Sequence, residues 1–193
     1  IKQRICIVGD GLSGLMTAGV LSKVSGIEVT LIAKKGINIA DKRTTAISDT
    51  NYKFINQNIT TFRQKLFWPS KKIELFYETS KEKINFLNLN ETNSNLMYVF
   101  ENDKVKSKLL KEISKSKIKL IRKDLKNLGE LKNYDLIILC IGRQSKIYNN
   151  ITKIRPISKD YKEIAITGYV KHNYKTLNTC LLYTSPSPRD GLL

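Results

Sequence analysis

A glycine-rich segment near the start of the chain has the spacing of a nucleotide-binding turn. Residues 9–14 read Gly-Asp-Gly-Leu-Ser-Gly, the GxGxxG pattern. In such a turn Gly9 permits the tight bend, Gly11 lets the backbone approach a pyrophosphate, and Gly14 allows a helix to pack on the sheet. The free N–H groups at the helix N-terminus then face the anion. We therefore predict a dinucleotide-binding turn made by Gly9, Asp10, Gly11, Leu12, Ser13 and Gly14.

The end of the second predicted strand, at residues 27–33, bears on which nucleotide is bound. An acidic residue at this place usually bonds a ribose hydroxyl, but Ala33 occupies it here and two lysines follow. Lys34 and Lys35 favour a 2′-phosphate and leave an NADP-dependent reductase as an alternative, although such a pair is also typical of a solvated loop. We include Lys34 among the predicted cofactor-binding residues.

The predicted strands and helices around the glycine turn indicate an α/β fold with a Rossmann-like parallel sheet. A strand at 4–8, a helix at 12–25 and a strand at 27–33 make a βαβ unit within about 30 residues. Between about 71 and 102, alternation of apolar and polar residues predicts antiparallel strands instead. Further predicted elements are helices at 49–57 and 102–115 and strands at 118–121, 134–142 and 163–171.

These elements predict two domains. A discontinuous nucleotide-binding domain is expected over residues 1–68 and 100–150. An incomplete β-rich substrate domain is expected over 69–99 and 151–179. Residues 180–193 end in a Ser/Pro-rich stretch unlike the Lys-, Asn- and Ile-rich sequence before it. We expect them to be a tail translated from a sequencing adapter, with a flexible linker as the alternative.

The basic composition indicates a partner class. The net charge of +17 would ordinarily favour a polyanionic partner. Only seven of the 34 basic residues are arginine, the residue that carries most base and phosphate recognition, so no nucleic-acid partner is expected. The charge instead favours peripheral contact with an anionic membrane, and the lysines at 104–126 are typical of solvated helix and loop faces.

Cysteine and histidine usage excludes several kinds of site. Cys6, Cys140 and Cys180 have no CxxC spacing, so they predict neither a disulfide framework nor a zinc site and favour a reducing, cytosolic compartment. His172 is the single histidine, which excludes a Ser-His-Asp triad and a histidine-rich metal site. The sequence contains no run of about 18 apolar residues, the length that a helix needs to span a bilayer.

Two further segments accompany the glycine turn. Arg43, Ala46, Ile47 and Ser48 form an R-x-x-A-I-S segment, and a buried strand ends in Ile-Gly-Arg-Gln-Ser, with Gly142 and Ser145. Together with "YVFEND", where Asn102 lies, these segments resemble the flavin-dependent aromatic hydroxylases, most closely the ubiquinone-biosynthesis hydroxylases. The resemblance runs over residues 4 to about 179 and corresponds to the first half of a family member.

This resemblance implies FAD as cofactor, held by the glycine turn, Arg43 and Gly142, with NAD(P)H as reductant and O2 as co-substrate. It implies a monooxygenase that hydroxylates a polyprenylated phenol in ubiquinone biosynthesis, with partners of that pathway, in the cytoplasm at the inner face of the cell membrane. No side chain is implied as a catalytic acid or base. Ala33 and Ile141 replace two acidic residues of the family, and we expect this chain to be an inactive fragment that binds FAD poorly or not at all.

Two alternatives remain open from the sequence. An NADP-dependent Rossmann-type reductase would share the glycine turn and Lys34, but it has no need of Arg43 or Gly142. A non-enzymatic basic module would bind an anionic membrane or nucleic acid and no nucleotide cofactor.

Overall fold

The computed structural model of the chain describes residues 2–36, 41–62, 64–78, 82–142, 159 and 179–184. The helices are α1 (Leu12–Leu21), α2 (Asp49–Asn58) and α3 (Asn102–Ile113), with 3₁₀ turns at Gln64–Leu66 and Leu128–Leu131. The strands are β1 (Gln3–Val8), β2 (Ile27–Ala33), β3 (Thr44–Ser48), β4 (Trp68–Ser70), β5 (Lys72–Glu78), β6 (Lys83–Asn90), β7 (Met97–Glu101), β8 (Lys119–Arg122), β9 (Leu136–Leu139) and β10 (Thr179–Thr184).

A parallel sheet of four strands, in the order β8-β2-β1-β9, positions the glycine turn. Ile5 of β1 lies opposite Val29 of β2 on one side and Leu136 of β9 on the other. Strands of a buried parallel sheet are largely apolar. Residues 5–8 of β1 and 31–33 of β2 are such apolar runs, and Glu28 and Thr30 precede the run in β2. Cys6 and Leu31 in these strands are fully buried. The α/β fold with a βαβ unit expected from the sequence is confirmed.

Helices α1 and α3 contact each other on this sheet. Leu15 and Ala18 of α1 are fully buried, as are Val105 and Leu109 of α3, whose spacing of four residues places them on one helix face. Helix α1 is shorter than predicted. It ends at Leu21, and Ser22 is its C-cap residue, whose N–H still bonds to the carbonyl of Ala18.

The β-rich part contains two three-stranded sheets. One has the order β3-β7-β4 and is antiparallel, and the other has the order β10-β5-β6. Strands β5 and β6 pair antiparallel, as the alternating pattern predicted, whereas β10 runs parallel to β5 and places Thr179 opposite Lys72. Strands β3, β4 and β10 were not predicted. Strand β10 lies at the start of the expected tail, whose origin stays a prediction.

By its contacts the chain divides into two compact units. The first comprises Ile1–Arg43, Ile55–Thr61 and Asn102–Thr167, and the second comprises Thr44–Phe54, Phe62–Glu101 and Gly168–Leu193. Residues 44–54 and 62–68 thus group with the β-rich part, because β3 and β4 both pair with β7. The assignment of the two parts to a cofactor and a substrate domain stays a prediction. The strand predicted at 163–171, Ser145 and His172 lie outside the described residues.

The second unit has an aromatic core. Phe62, Phe67 and Phe100 are each no more than 3% exposed, with ring centroids 5.3 Å apart for Phe62 and Phe67 and 5.0 Å apart for Phe67 and Phe100. The rings of Tyr52 and Tyr98 stack at 3.9 Å. In the described part of the chain, no helix has both the length and the apolar character needed to cross a membrane.

Candidate functional site

The glycine turn between β1 and α1 needs two of its glycines for packing. Gly9 has a φ of +114°, and a Cβ there would lie 2.8 Å from the carbonyl carbon of Cys140. A Cβ on Gly14 would lie 3.0 Å from the carbonyl carbon of Gly9 and 3.3 Å from the Cβ of Cys140. A Cβ at either position would come too close to these backbone carbonyl groups. A side chain on Gly9 would force the turn away from Cys140, and one on Gly14 would force α1 away from Gly9.

Gly11 differs, because its side-chain position faces open space. No atom lies within 4 Å of a Cβ placed there. Gly11 caps α1 in an extended conformation, and its carbonyl accepts the N–H of Leu15 at 3.0 Å. The first turn of α1 contains no acidic residue, and the cap makes no side-chain hydrogen bond. The N–H groups of Leu12 and Ser13 therefore belong to a helix N-terminus with a positive dipole end and room for an anion. This arrangement fits the pyrophosphate of a dinucleotide.

Asp10, in the same turn, forms an ion pair with α3. Its carboxylate lies 3.6 Å from the Nζ of Lys106, and both side chains are only about one-fifth exposed. Lys106 is a candidate site residue that the sequence reasoning missed, since the lysines at 104–126 were expected on solvated faces. Its spacing could have indicated this position, because Lys106 lies four residues after Asn102 and therefore on the same helix face.

Arg43 is held by its neighbour Asp41. The Nε of Arg43 donates to Oδ1 of Asp41 and an Nη donates to Oδ2, both at 2.7 Å. The Nδ2 of Asn102 donates to the same Oδ2 at 3.0 Å. The hydrogen bonds from Arg43, followed by that from Asn102, hold the pKa of the Asp41 carboxyl well below its usual range. Asp41 is thus a carboxylate throughout the neutral pH range.

The beginning of α3 joins these two segments. The backbone N–H of Asn102 donates to the carbonyl of Arg43 at 3.0 Å, and the side chain of Asp103 accepts the N–H of Asp41 at 2.7 Å. One turn further along, Lys106 reaches Asp10 in the glycine turn. Two sequence segments that were predicted to bind one cofactor are therefore both fastened to the same end of one helix.

The strand end that contains Gly142 runs beside the glycine turn. The N–H of Cys140 bonds to the carbonyl of Val8 at 2.8 Å, which places the residues after β9 against Gly9 and Gly14. Gly142 has a φ of +65°, a left-handed conformation that favours glycine, and a Cβ there would meet no atom within 4 Å. Gly142 is thus a second glycine of the site whose side-chain position faces open space. It lies two residues after Cys140, which packs against Gly9 and Gly14.

The two missing acidic residues have structural explanations. Ile141 packs against the core cluster that contains Cys6, Val8, Ile32 and Leu131, where an ionised carboxylate would be costly. Ala33 is fully buried at the end of β2, and its carbonyl accepts the N–H of Lys123 at 2.8 Å. Neither residue offers a polar side chain to a ribose.

The lysines after Ala33 are exposed. The N–H of Lys35 donates to Asp124 at 3.2 Å, and no hydrogen bond or ion pair of the Lys34 side chain is seen among the described residues. Arg122 lies opposite Ala33 in the parallel register of β2 and β8. Lysine and arginine side chains therefore lie at the ends of β2 and β8, where a ribose-binding carboxylate would be expected.

The cysteines and acidic residues of the described part do not form another reactive centre. Burial raises the pKa of the Cys6 thiol to about 11 and also raises the pKa of the Cys140 thiol, so both stay protonated at neutral pH. Among the described residues no group of histidine, cysteine, aspartate and glutamate side chains could hold a metal ion.

Comparison with known proteins adds a likeness in fold. No protein-family model and no curated protein matches the sequence. A tryptophan halogenase from Shewanella frigidimarina is 12% identical with a TM-score of 0.52, over 73% of this chain and 43% of that one. A mutant of P. aeruginosa PqsL is 10% identical with a TM-score of 0.57, over 83% of this chain and 48% of that one.

A third solved structure is that of 2-methyl-3-hydroxypyridine-5-carboxylic acid oxygenase. It is 14% identical with a TM-score of 0.50, over 63% of this chain and 32% of that one. At these identities the likeness shows a shared fold, and the chain spans less than half the length of each of the three proteins.

Proposed function

We propose that this chain contributes the cofactor-binding part of an FAD-dependent monooxygenase that hydroxylates an aromatic ring. The observation that carries the proposal is the open position at Gly11, between two glycines that packing requires. Arg43 is fastened to the same helix as that turn. The fold shared with an oxygenase and a halogenase supports this reading, as does the resemblance of the Arg43 and Gly142 segments to the flavin hydroxylases.

Each group of the site has a part in binding. The N–H groups at the start of α1 and the guanidinium of Arg43 bind the pyrophosphate, because both offer donors to an anion. Lys106 adds positive charge beside the turn. Gly142 leaves room for the cofactor beside the backbone that follows β9. FAD, when bound, supplies the redox chemistry, with NAD(P)H as reductant and O2 as oxygen source, so no side chain has to act as acid or base.

The substrate class and the location are a finer part of the proposal. The motif resemblance favours a polyprenylated phenol of ubiquinone biosynthesis, whose polyprenyl tail lies in a membrane. The net charge of +17 favours an anionic membrane surface and partners assembled there. Since the chain spans less than half of its structural neighbours, we propose this activity for a longer protein that contains it.

An NADP-dependent reductase is the second candidate. Ala33 leaves the end of β2 without a carboxylate, while Lys34 is exposed just beyond it and Arg122 lies opposite in the adjacent strand. Cations at this place suit a 2′-phosphate. This candidate predicts tight binding of NADPH and no affinity for flavin.

Titration of the purified chain with FAD, followed by the fluorescence of the flavin, separates the two candidates. The proposal predicts weak but saturable binding of FAD to the wild type and its loss in Gly11→Ala, because the new methyl group occupies the space for the pyrophosphate. Thermal melting of both proteins controls for folding. Binding of NADPH in a parallel titration without binding of FAD would establish the reductase instead.

A further inference from the structure

The contact between Asp41 and Arg43 is a paired, planar one. Two N–H groups of the guanidinium meet the two carboxylate oxygens at 2.7 Å each, and the backbone N–H of Arg43 donates to Oδ1 at 3.2 Å. Such fork-to-fork geometry fixes the plane of an arginine as well as its position. Without this contact the guanidinium would have no fixed orientation, because the side chain of Arg43 is 80% exposed and an arginine in water samples many rotamers.

Asp41 is itself held by the beginning of α3. Its Oδ2 accepts from Nδ2 of Asn102 at 3.0 Å, and its N–H donates to Asp103 at 2.7 Å. Asn102 is only 6% exposed, so it forms part of the packed body of the first unit. A continuous set of contacts therefore runs from the buried start of α3 through Asp41 to the exposed guanidinium.

The guanidinium keeps donors for a ligand. Arginine has five N–H groups in a rigid fork, and Asp41 takes two of them. The remaining three are on the two Nη atoms and lie in the plane that the pair fixes. An anion that meets an arginine already held in place avoids the cost of ordering that side chain during binding.

We propose that Asp41 is a positioning residue that orients Arg43 for the pyrophosphate of the cofactor. The inference rests on the proposed function, in which Arg43 binds that pyrophosphate. It predicts that removing the negative charge of Asp41 weakens binding, although a simple Coulomb argument predicts that removing an anion beside the site would strengthen it.

A double-mutant cycle in FAD affinity tests this proposal. Asp41→Asn is expected to weaken FAD binding by about 5-fold and Arg43→Gln by about 10-fold, within the usual range for one charge-assisted contact. The double variant should bind no more weakly than Arg43→Gln alone, because Asp41 acts only through Arg43. A purely structural role of Asp41 would give the same loss in both backgrounds and would overturn the proposal, as would wild-type or tighter binding by Asp41→Asn.

A matched control and a second readout complete the test. Asp49→Asn removes another partly buried carboxylate that pairs with an exposed cation, here Lys53 at 2.5 Å, and should leave the affinity unchanged. If the wild type binds no FAD, the proposed function fails, and the positioning claim is then decided by the NMR signal of the Arg43 Nε–H group. A signal that is shifted in the wild type and moves to the free-arginine position in Asp41→Asn supports the claim, and an identical signal in both overturns it.

Discussion

The Nζ of Lys106 lies 3.6 Å from the carboxylate of Asp10, so helix α3 touches the glycine turn through one ion pair. Both side chains are largely buried, which shields the pair from solvent. Asp10 alone would repel a pyrophosphate, because it is an anion next to the start of α1. Lys106 offsets that charge at the place where the anion is proposed to bind.

Lys106→Met should therefore weaken FAD binding by about 3- to 10-fold, in line with the loss of one partly buried cation near an anion. Lys108→Met is the matched control, since Lys108 lies on the same helix and pairs with Glu112 at 2.7 Å instead. Fluorescence titration of both variants measures the effect. Equal losses in the two variants would show that only the overall charge matters.

Substitutions at two glycines of the turn, Gly14 and Gly11, should affect stability and cofactor binding separately. Gly14→Ala is expected to cost about 2–4 kcal/mol, because the added Cβ has no space beside the carbonyl of Gly9. Gly11→Ala should cost about 1 kcal/mol or less, the usual price of a poorer helix cap, while it removes FAD binding. Urea denaturation measures the first effect and titration the second. A Gly14→Ala protein of wild-type stability would contradict the packing described here.

Acid should weaken the first unit partly through Asp41. Its folded pKa lies below the usual value near 3.9, so in acid the unfolded chain takes up the proton first. The contribution of Asp41 is therefore complete at neutral pH and is lost as the pH falls below about 4. The difference between the melting curves of the wild type and Asp41→Asn should be largest at pH 7 and should shrink progressively between pH 4 and pH 2. A constant difference over that range would exclude this carboxylate as the source.

The thiol of Cys6 should resist modification in the native protein. It is fully buried in β1, and burial raises its pKa to about 11. Between the unfolded pKa near 9 and the folded one, the unfolded state loses its proton first, so stability falls as the pH rises through this window. A thiol reagent at pH 8 should react with Cys6 only after denaturant is added. Cys6→Ser assigns the signal, and rapid labelling of native Cys6 would refute its burial.

The aromatic core of the second unit should tolerate no truncation. Phe100→Ala is expected to cost about 3–5 kcal/mol, the range for an aromatic residue deleted from a core, since Phe100 is 1% exposed and its ring lies 5.0 Å from that of Phe67. Phe86→Ala makes the same substitution at a side chain that is 55% exposed. Its effect should stay within about 0.5 kcal/mol. Chemical denaturation of both variants provides the comparison.

The parallel sheet could be predicted from the sequence because its signals are local. A short apolar run lies within each of β1 and β2, and the GxGxxG spacing between them marks the turn. Strand β3 could not be found in this way. Its residues, Thr-Thr-Ala-Ile-Ser, are mostly polar, and it forms only because it pairs with β7 more than 50 residues later.

The site could be predicted only in part, for the same reason. Gly9, Gly11 and Gly14 follow from a motif within one turn, and Arg43 and Gly142 follow from a resemblance. The contacts of Lys106 with Asp10 and of Asn102 with Asp41 join residues 96 and 61 positions apart, and no local pattern reports them. The contact of the partly buried Ile141 with the core cluster likewise depends on packing that the sequence does not display.

The strand order β8-β2-β1-β9 also governs how this sheet can assemble during synthesis. β1 can pair with β2 as soon as residue 33 has left the ribosome, but its other edge waits for β9, more than 100 residues later. Until then an apolar strand with unpaired backbone groups stays open to other chains. Closing so long a loop is also slow. We therefore expect chaperone dependence to end once residue 139 has emerged and β9 closes the edge.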